Sequence, residues 1–213
     1  MTDQKDGLIV WADCEMTGLN PEVDELVEVA LFVTDYSLQV RDQGVSVVIR
    51  PSDRAFEQMN DFVRDMHRTS GLLEDLPHGL TLSAAEDTLL EYLKSHLPQP
   101  GQAPLAGNTI ATDRAFIQRY LPRVHGHLHY RNIDVSTIKE LARHWYPKTF
   151  FHAPEKNGGH RARADILESI RELQYYRRVV FVDEPGPTTA ELRAVSKEVV
   201  DAFTAPGAES SGL

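Results

Sequence analysis

The apolar positions of this chain follow two periods, and the change from one to the other divides the sequence into strands and helices. Three early runs are rich in β-branched and aromatic side chains, a composition typical of β-strands. The first begins at Leu8, and the others cover 25–36 and 45–49, with Pro51 closing the third. Three strands in succession predict an antiparallel meander on one side of a sheet.

From Arg54 onward the apolar residues recur every three or four positions, which is the period of an amphipathic helix. Further helices are predicted to begin at the following residues: Ser83 and Thr137, each followed three positions later by a capping Glu (Glu86 and Glu140), Thr112, and Ala162, whose helix extends to Val179. The short apolar segments 105–108 and 133–135 between them are interpreted as strands. This order predicts the α/β class: a mixed five-stranded sheet with helices packed on it.

The 213 residues suit one α/β domain with a sizeable core. We expect this domain to cover 1–182, because a Pro- and Gly-rich break at 183–187 interrupts the pattern. The remaining 183–213 is interpreted as a C-terminal extension: 189–203 is amphipathic and predicts a helix, whereas the small and polar 205–213 predicts disorder.

Charge and composition narrow the classes of function. The formal net charge of −10 argues against a protein that holds long nucleic acid by neutralising phosphates. A short anionic substrate, gripped locally with the help of metal ions, stays possible. No apolar run is long enough to span a bilayer and no leader is recognisable, so we expect a cytoplasmic protein without a membrane partner. Cys14 is the single cysteine and is interpreted as a small core residue.

Asp13 and Glu15 are the first candidates for chemistry. They stand two positions apart at the end of the first strand, so their side chains point to the same face of the sheet. Two neighbouring anions repel each other, and a hard divalent cation with oxygen ligands would compensate them. An Asp-x-Glu alone is weak evidence for a metal, because strand ends that face water also contain it.

Three later residues extend this pair. Asp113 opens a helix, Asp165 lies in the first turn of the last helix, and His160 follows two glycines just before that helix. Singly, acids at helix starts are common caps, and a loop histidine is usually a surface residue. Together, four carboxylates and one histidine are the components of two-metal phosphodiester hydrolysis, in which the histidine takes a proton from the attacking water.

The order and flanks of these residues are more specific. The chain resembles the DEDDh family of 3′-to-5′ exonucleases, and within it the oligoribonucleases, through four blocks in order: 11–19 (WADCEMTGL), 107–116 around Asp113, 129–143 (with His-Tyr-Arg and Asp-Val-Ser-Thr), and 160–170 (His160 through Ile170). These blocks lie between Leu8 and Phe181 and do not extend into the C-terminal extension.

The resemblance implies an RNase H-like exonuclease fold and a homodimer. It implies a metal-dependent exoribonuclease that removes nucleoside 5′-monophosphates from the 3′ end of short RNA oligonucleotides, down to dinucleotides, with two divalent cations (Mg2+ or Mn2+). The metal ligands would be Asp13, Glu15, Asp113 and Asp165, and His160 would be the general base.

The resemblance also implies a substrate pocket. Leu19 would wedge against the bases, Phe62 would stack on one, and His67 falls in the same substrate-side segment. Thr109 would line a 5′-phosphate pocket with Arg131 and Ser136, while Tyr130 and Arg131 would reach the site of the partner subunit. A guanidinium and hydroxyls beside a helix N-terminus suit a terminal phosphate, and such a pocket would exclude longer chains sterically.

Two rival interpretations stay open. A DNA-directed, proofreading-type exonuclease of the same superfamily would use the same four acids. A catalytically silent dimeric scaffold would keep the fold, although retention of all four acids and His160 weighs against it. Trp145 and Phe116 are expected in the core rather than on a base.

Overall fold

The computed structural model describes residues 7–155 and 159–204. The described chain divides into two compact units, with the division between Val180 and Phe181. This boundary lies close to the predicted one after residue 182; whether the extension is a separate functional part stays a prediction. The predicted disorder of 205–213 concerns residues outside those described.

A mixed five-stranded sheet forms the centre of the first unit, as predicted. Its strands are β1 (Leu8–Met16), β2 (Leu26–Asp35), β3 (Val45–Val48), β4 (Leu105–Gly107) and β5 (Asn132–Asp134). Their order is β3-β2-β1-β4-β5. The first three form the expected antiparallel meander, whereas β4 pairs parallel to β1 and β5 parallel to β4. The ends of β1 and β4 therefore lie side by side.

Nine helices are described in the first unit: α1 (Asp53–Gln58), α2 (Asp61–Thr69), α3 (Leu72–Asp75), α4 (Leu82–His96), α5 (Ile110–Tyr120), α6 (Pro122–His127), α7 (Val135–Trp145), α8 (Pro147–Phe151) and α9 (Ala162–Val179). The predicted bounds of α9 are confirmed. The helical pattern after Arg54 is divided in two, because Asn60 caps α2 by accepting a hydrogen bond from the Val63 amide.

Both predicted capping boxes are wrong. Thr81 caps α4 by accepting from the Ala84 amide, which places Ser83 inside the helix. Asp134, three residues before Thr137, caps α7 by accepting from the Ser136 amide. In each case an earlier Thr or Asp with extended backbone supplies the oxygen, and both residue types are strong caps.

The two faces of the sheet carry separate apolar cores, as strand alternation requires. Val10, Ala12 and Cys14 of β1 pack with α4, α5 and α6, so Cys14 is a core residue as predicted. Ile9 and Trp11 point to the other face, where they pack with α7 and α9. Asp13 and Glu15 continue this second face.

Phe116 is buried as expected, but the prediction of a core position for Trp145 is wrong. Trp145 is 65% exposed at the end of α7. The helix buries Val135 and Ala142, so its apolar face is narrower than the sequence pattern indicated.

The second unit contains α10 (Thr189–Thr204), an amphipathic helix. Among the described residues, no helix combines the length and apolar character needed to cross a bilayer.

Candidate active site

Three acids meet at the end of β1. Asp13 and Glu15 project from the strand, and Asp165 reaches them from the first turn of α9. Each offers a carboxylate oxygen, and these three oxygens lie within 4.8 Å of one another. Glu15 and Asp165 are far apart in the sequence, and the packing of α9 on the sheet brings them together.

Asp113, the fourth predicted ligand, lies beside this group. It is in the first turn of α5, and its Oδ1 accepts a hydrogen bond from the Cys14 amide at 2.9 Å. That bond holds Asp113 against the β1 segment between Asp13 and Glu15. The side chain is buried, and its charge contributes to the raised pKa of Asp13.

The acids hold protons well above their usual pH range. Burial raises the pKa of Glu15 to about 8, with additional repulsion from Asp165 and Glu28. Burial likewise raises the pKa of Asp113 to about 7, although the hydrogen bond from the Cys14 amide acts in the opposite direction. The pKa of Asp13 is raised for the same reason, first by burial and then by Asp113 and Asp165. Carboxylates that resist ionisation in the absence of a cation are the electrostatic signature of a cation site.

The donor set fits a hard divalent ion. Three carboxylates with oxygens this close would offer the oxygen coordination that Mg2+ and Mn2+ prefer. Asp13, Glu15 and Asp165 would hold the ion, and Asp113 is adjacent.

His160 stands just before α9. It is exposed and has a φ of +46°, a left-handed conformation that non-glycine residues rarely adopt. Burial is the main cause that lowers the pKa of His67, and the charge of His160 acts in the same direction. In the sequence, His160 stands two residues before the start of α9 and five residues before Asp165.

His67 is placed differently from a surface binding residue. It belongs to α2, is 0% exposed, and its Nε2 lies 2.8 Å from the Met16 carbonyl oxygen. Its Nδ1 faces Glu15. The His67 side chain therefore packs against the end of β1 and has no exposed surface.

Leu19 and Phe62 are open to solvent, at 77% and 79% exposure. Leu19 projects from a tight turn in which Asp24 accepts hydrogen bonds from the Thr17 hydroxyl and the Asn20 amide. A Cβ on Gly18 would lie 2.4 Å from the Asp24 carboxylate, so another residue at this position would have to displace that side chain. The hydrogen bonds of Asp24 thus link the ends of the turn that carries Leu19.

Thr109 and Ser136, both predicted to line a phosphate pocket, lie next to each other. Their hydroxyl oxygens are 3.2 Å apart, and the Ser136 hydroxyl donates to Asn108. The amides of both residues donate to Asp134, at 3.0 and 2.9 Å. The start of α7 is already capped, so an anion here would be bound by hydroxyls and a cationic side chain rather than by helix amides.

Tyr130 and Arg131 are both exposed, and the Arg131 guanidinium lies 5.6 Å from the Tyr130 ring centroid. This cation–π pair projects from the segment before β5.

Comparisons with known proteins agree with this geometry. The exonuclease family model (RNase_T) matches residues 10–173. A curated oligoribonuclease from Leifsonia xyli subsp. xyli is 59% identical over 197 residues, which cover 92% of this chain and 95% of the relative. Oligoribonucleases from Cutibacterium acnes and Streptomyces coelicolor are 52% and 54% identical, over 94% and 91% of this chain and 99% and 98% of their own. This chain is a member of the oligoribonuclease family.

The fold of this oligoribonuclease-family chain also occurs in exonuclease I. One such structure has a TM-score of 0.65 at 13% identity, covering 81% of this chain and 41% of exonuclease I. Exonuclease I from Methylocaldum szegediense gives a TM-score of 0.59 at 17% identity, covering 82% and 41%. The predicted RNase H-like class is therefore confirmed. The exonuclease family depends on divalent metal ions.

Two residues near the oligoribonuclease-family site were missed by sequence reasoning. Glu28 is buried behind the acids, and Arg161 is bound to it. A single charged residue inside the apolar run of β2 was the available signal for Glu28, since alternation places it on the face of Glu15.

Proposed function

We propose that the protein is a 3′-to-5′ exoribonuclease of short oligoribonucleotides, dinucleotides above all, and that it releases nucleoside 5′-monophosphates. The observation that carries this is the meeting of Asp13, Glu15 and Asp165 within 4.8 Å. The exposed His160 precedes the helix that carries Asp165. Membership in the oligoribonuclease family supports the substrate class.

The four acids would hold two divalent cations, Mg2+ or Mn2+. Bound there, the cations would lower the pKa of the attacking water and stabilise negative charge on the leaving oxygen. His160 would take the proton from that water. Its exposed position before α9 leaves the imidazole free to meet solvent, and a neutral imidazole can accept a proton near neutral pH.

The other residues would select a short substrate. Leu19 and Phe62 offer apolar surface to the last two bases, and His67 would support the segment behind them. Thr109, Ser136 and Arg131 would bind a 5′-phosphate, because hydroxyls and a guanidinium are strong donors to it. A phosphate held there leaves no path for further upstream nucleotides, so the pocket would measure chain length. It also explains how an acidic protein binds RNA: few phosphates need neutralising.

We also propose a homodimer in which Tyr130 and Arg131 complete the site of the partner subunit. Their projection away from the fold supports this. Sedimentation of the protein at micromolar concentration measures it directly. A monomer that is fully active on dinucleotides would contradict the dimeric site. We also propose a cytoplasmic location.

The deciding experiment is a timed digestion of 5′-labelled RNAs of increasing length with Mg2+, with and without chelator. We expect dinucleotides to be cleaved fastest and Asp13→Ala to abolish cleavage. Cleavage that persists in Asp13→Ala would indicate a contaminating nuclease and a silent scaffold. Faster turnover of 5′-phosphorylated DNA than RNA dinucleotides would instead favour a DNA-directed exonuclease.

A further inference from the structure

Glu28 is a fifth carboxylate next to the acid cluster. It lies on β2 directly opposite Glu15 and is 2% exposed. Burial is the main cause of the raised pKa of Asp13 and Glu15, and the charge of Glu28 adds to it. An anion here makes the cluster harder to ionise, so its presence needs a separate physical reason.

Protein donors already engage both oxygens of Glu28. Oε1 accepts from the Ser46 hydroxyl at 3.1 Å and from the Arg161 guanidinium at 3.3 Å. Oε2 accepts from the Ala162 amide at 3.2 Å. The metal-binding group found among the described residues does not include Glu28. Its contacts are directed at the start of α9 instead.

The start of α9 has no cap of its own. Arg161 occupies the N-cap position and makes no capping hydrogen bond with its side chain, while the Ala162 amide that follows is buried. A buried amide at a helix start needs an acceptor, and Glu28 supplies it from β2. The Arg161 guanidinium also donates to Asp75 at 3.1 Å. The two side chains thus join β2, α3 and α9.

This junction lies immediately after His160. The left-handed backbone of His160 is unfavourable for a residue with a Cβ, so the neighbouring chain must hold it in place. Arg161 and Ala162, the two residues that follow His160, are both bound to Glu28. Asp165 follows one turn later in the same helix.

We propose that Glu28 and Arg161 are positioning residues that hold the His160 imidazole over the acid cluster without touching the substrate. The inference rests on the proposed role of His160 as general base. A base displaced by about 1 Å loses on the order of 10²-fold in rate, so the junction would act on the chemical step.

Glu28→Ala tests the idea. We expect kcat on a 5′-phosphorylated RNA dinucleotide to fall by about 10²-fold. The KM and the dissociation constant for Mn2+, measured by calorimetry on the metal-free protein, should change little. Glu28→Gln keeps an acceptor for the Ala162 amide and should lose less activity; it replaces the alanine variant if that one does not fold. Arg161→Lys should retain more activity than Arg161→Met, because it keeps the cation.

Measurements in the His160→Ala variant show whether Glu28 acts by positioning the imidazole or only by stabilising the fold. If Glu28 acts through His160, Glu28→Ala should slow single-turnover cleavage very little once the imidazole is absent. An equal loss in both backgrounds would overturn the inference.

Glu86 provides a matched control. It is buried on α4 and accepts from both the Arg123 amide and the Arg123 side chain at 2.7 Å, so it joins two helices in the same way, away from the acids. Glu86→Ala should lower the unfolding temperature but leave kcat unchanged. If it lowers kcat as much as Glu28→Ala, both pairs are structural and the inference is wrong. If neither wild type nor Glu86→Ala cleaves RNA, the proposed function itself fails.

Discussion

At the scale of single residues, proton binding and cation binding compete for the same oxygens. The pKa of Glu15 is about 8 in the fold against an ordinary 4.5, because the side chain is buried among other acids. The metal-free folded protein therefore binds more protons than the unfolded chain between these two pH values.

The free energy of unfolding should fall as pH rises through this window. In chelator, we expect the unfolding temperature to decrease from pH 5 to pH 8, and added Mn2+ to restore it most at pH 8, where the fewest protons have to be displaced. Thermal scans across this range measure both effects. Glu15→Gln removes one titrating group and should flatten the curve. A metal-free protein equally stable at pH 5 and pH 8 would contradict the burial of charge described for this site.

His160 should matter for turnover and not for metal binding. The oxygens that come together belong to carboxylates, so His160→Ala leaves the donor set intact. We expect kcat to fall roughly 10²- to 10⁴-fold, the usual contribution of a general base, with Mn2+ binding nearly unchanged in calorimetry. His152→Ala is the control, because the side chain of this exposed histidine contacts the Lys148 carbonyl of the neighbouring helix α8. Loss of Mn2+ binding with normal turnover would assign His160 to the metal instead.

At the scale of elements, hydrogen bonds hold the turn after β1 in one conformation. Gly18 allows the Asp24 carboxylate to approach the backbone, and the Tyr120 hydroxyl from α5 donates to the Asp24 carbonyl at 2.6 Å. Leu19 is exposed to solvent, but the contacts of Asp24 hold the turn that carries it.

Gly18→Ala should therefore impair the enzyme through Leu19. The new Cβ must displace Asp24, which moves the turn, so we expect KM for a dinucleotide to rise about as much as in Leu19→Ala, roughly tenfold for the loss of a stacking contact. Steady-state kinetics of both variants and of the double variant check this. Additive losses would show that the turn acts independently of Leu19.

Hydrogen bonds also hold the starts of α5 and α7 together. Asp134 takes up the amides of Thr109 and Ser136, which leaves hydroxyls and Arg131 as the donors for a terminal phosphate. Arg131→Ala should abolish the preference for 5′-phosphorylated over unphosphorylated dinucleotides, a difference of about tenfold or more for a charge-assisted bond. The exposed Arg178 of α9 is a charge-matched control. If the wild type cleaves both substrates equally, the pocket does not bind a phosphate.

At the scale of the whole molecule, both apolar cores lie in the first unit. Their buried residues run from Ile9 to Tyr176, and all four acids fall within this range. A chain shortened to 1–182 should consequently fold and keep its kcat/KM on dinucleotides. Circular dichroism and the digestion assay test this; a folded but inactive short chain would assign the extension a part in catalysis.

The sequence alone predicts those features of the fold and the site that depend on residues close together in the chain. The strand meander, the bounds of α9 and the gathering of Asp13, Glu15 and Asp165 follow from local periodicity and motif order. The capping of α9 by Glu28 could not be predicted that way, because donor and acceptor come from strands and helices that meet only in the fold.

Predictions from local patterns were also wrong where a side chain binds a residue that is distant in the sequence. Glu86 stands three residues after Ser83, as in a capping box, but it binds Arg123 of α6. His67 was expected in a substrate-side segment, whereas it lies buried inside α2 with its Nε2 beside the Met16 carbonyl oxygen. In both cases a long-range hydrogen bond decided the outcome.

The closing of the acid cluster by α9 has a consequence for biosynthesis. A chain still emerging from the ribosome contains Asp13, Glu15 and Asp113 early, but it lacks Asp165 until the last described helix of its first unit has been made. The third close carboxylate arrives with α9, which packs on the second face of the sheet. We therefore expect nascent protein to be inactive toward RNA until this unit is nearly complete.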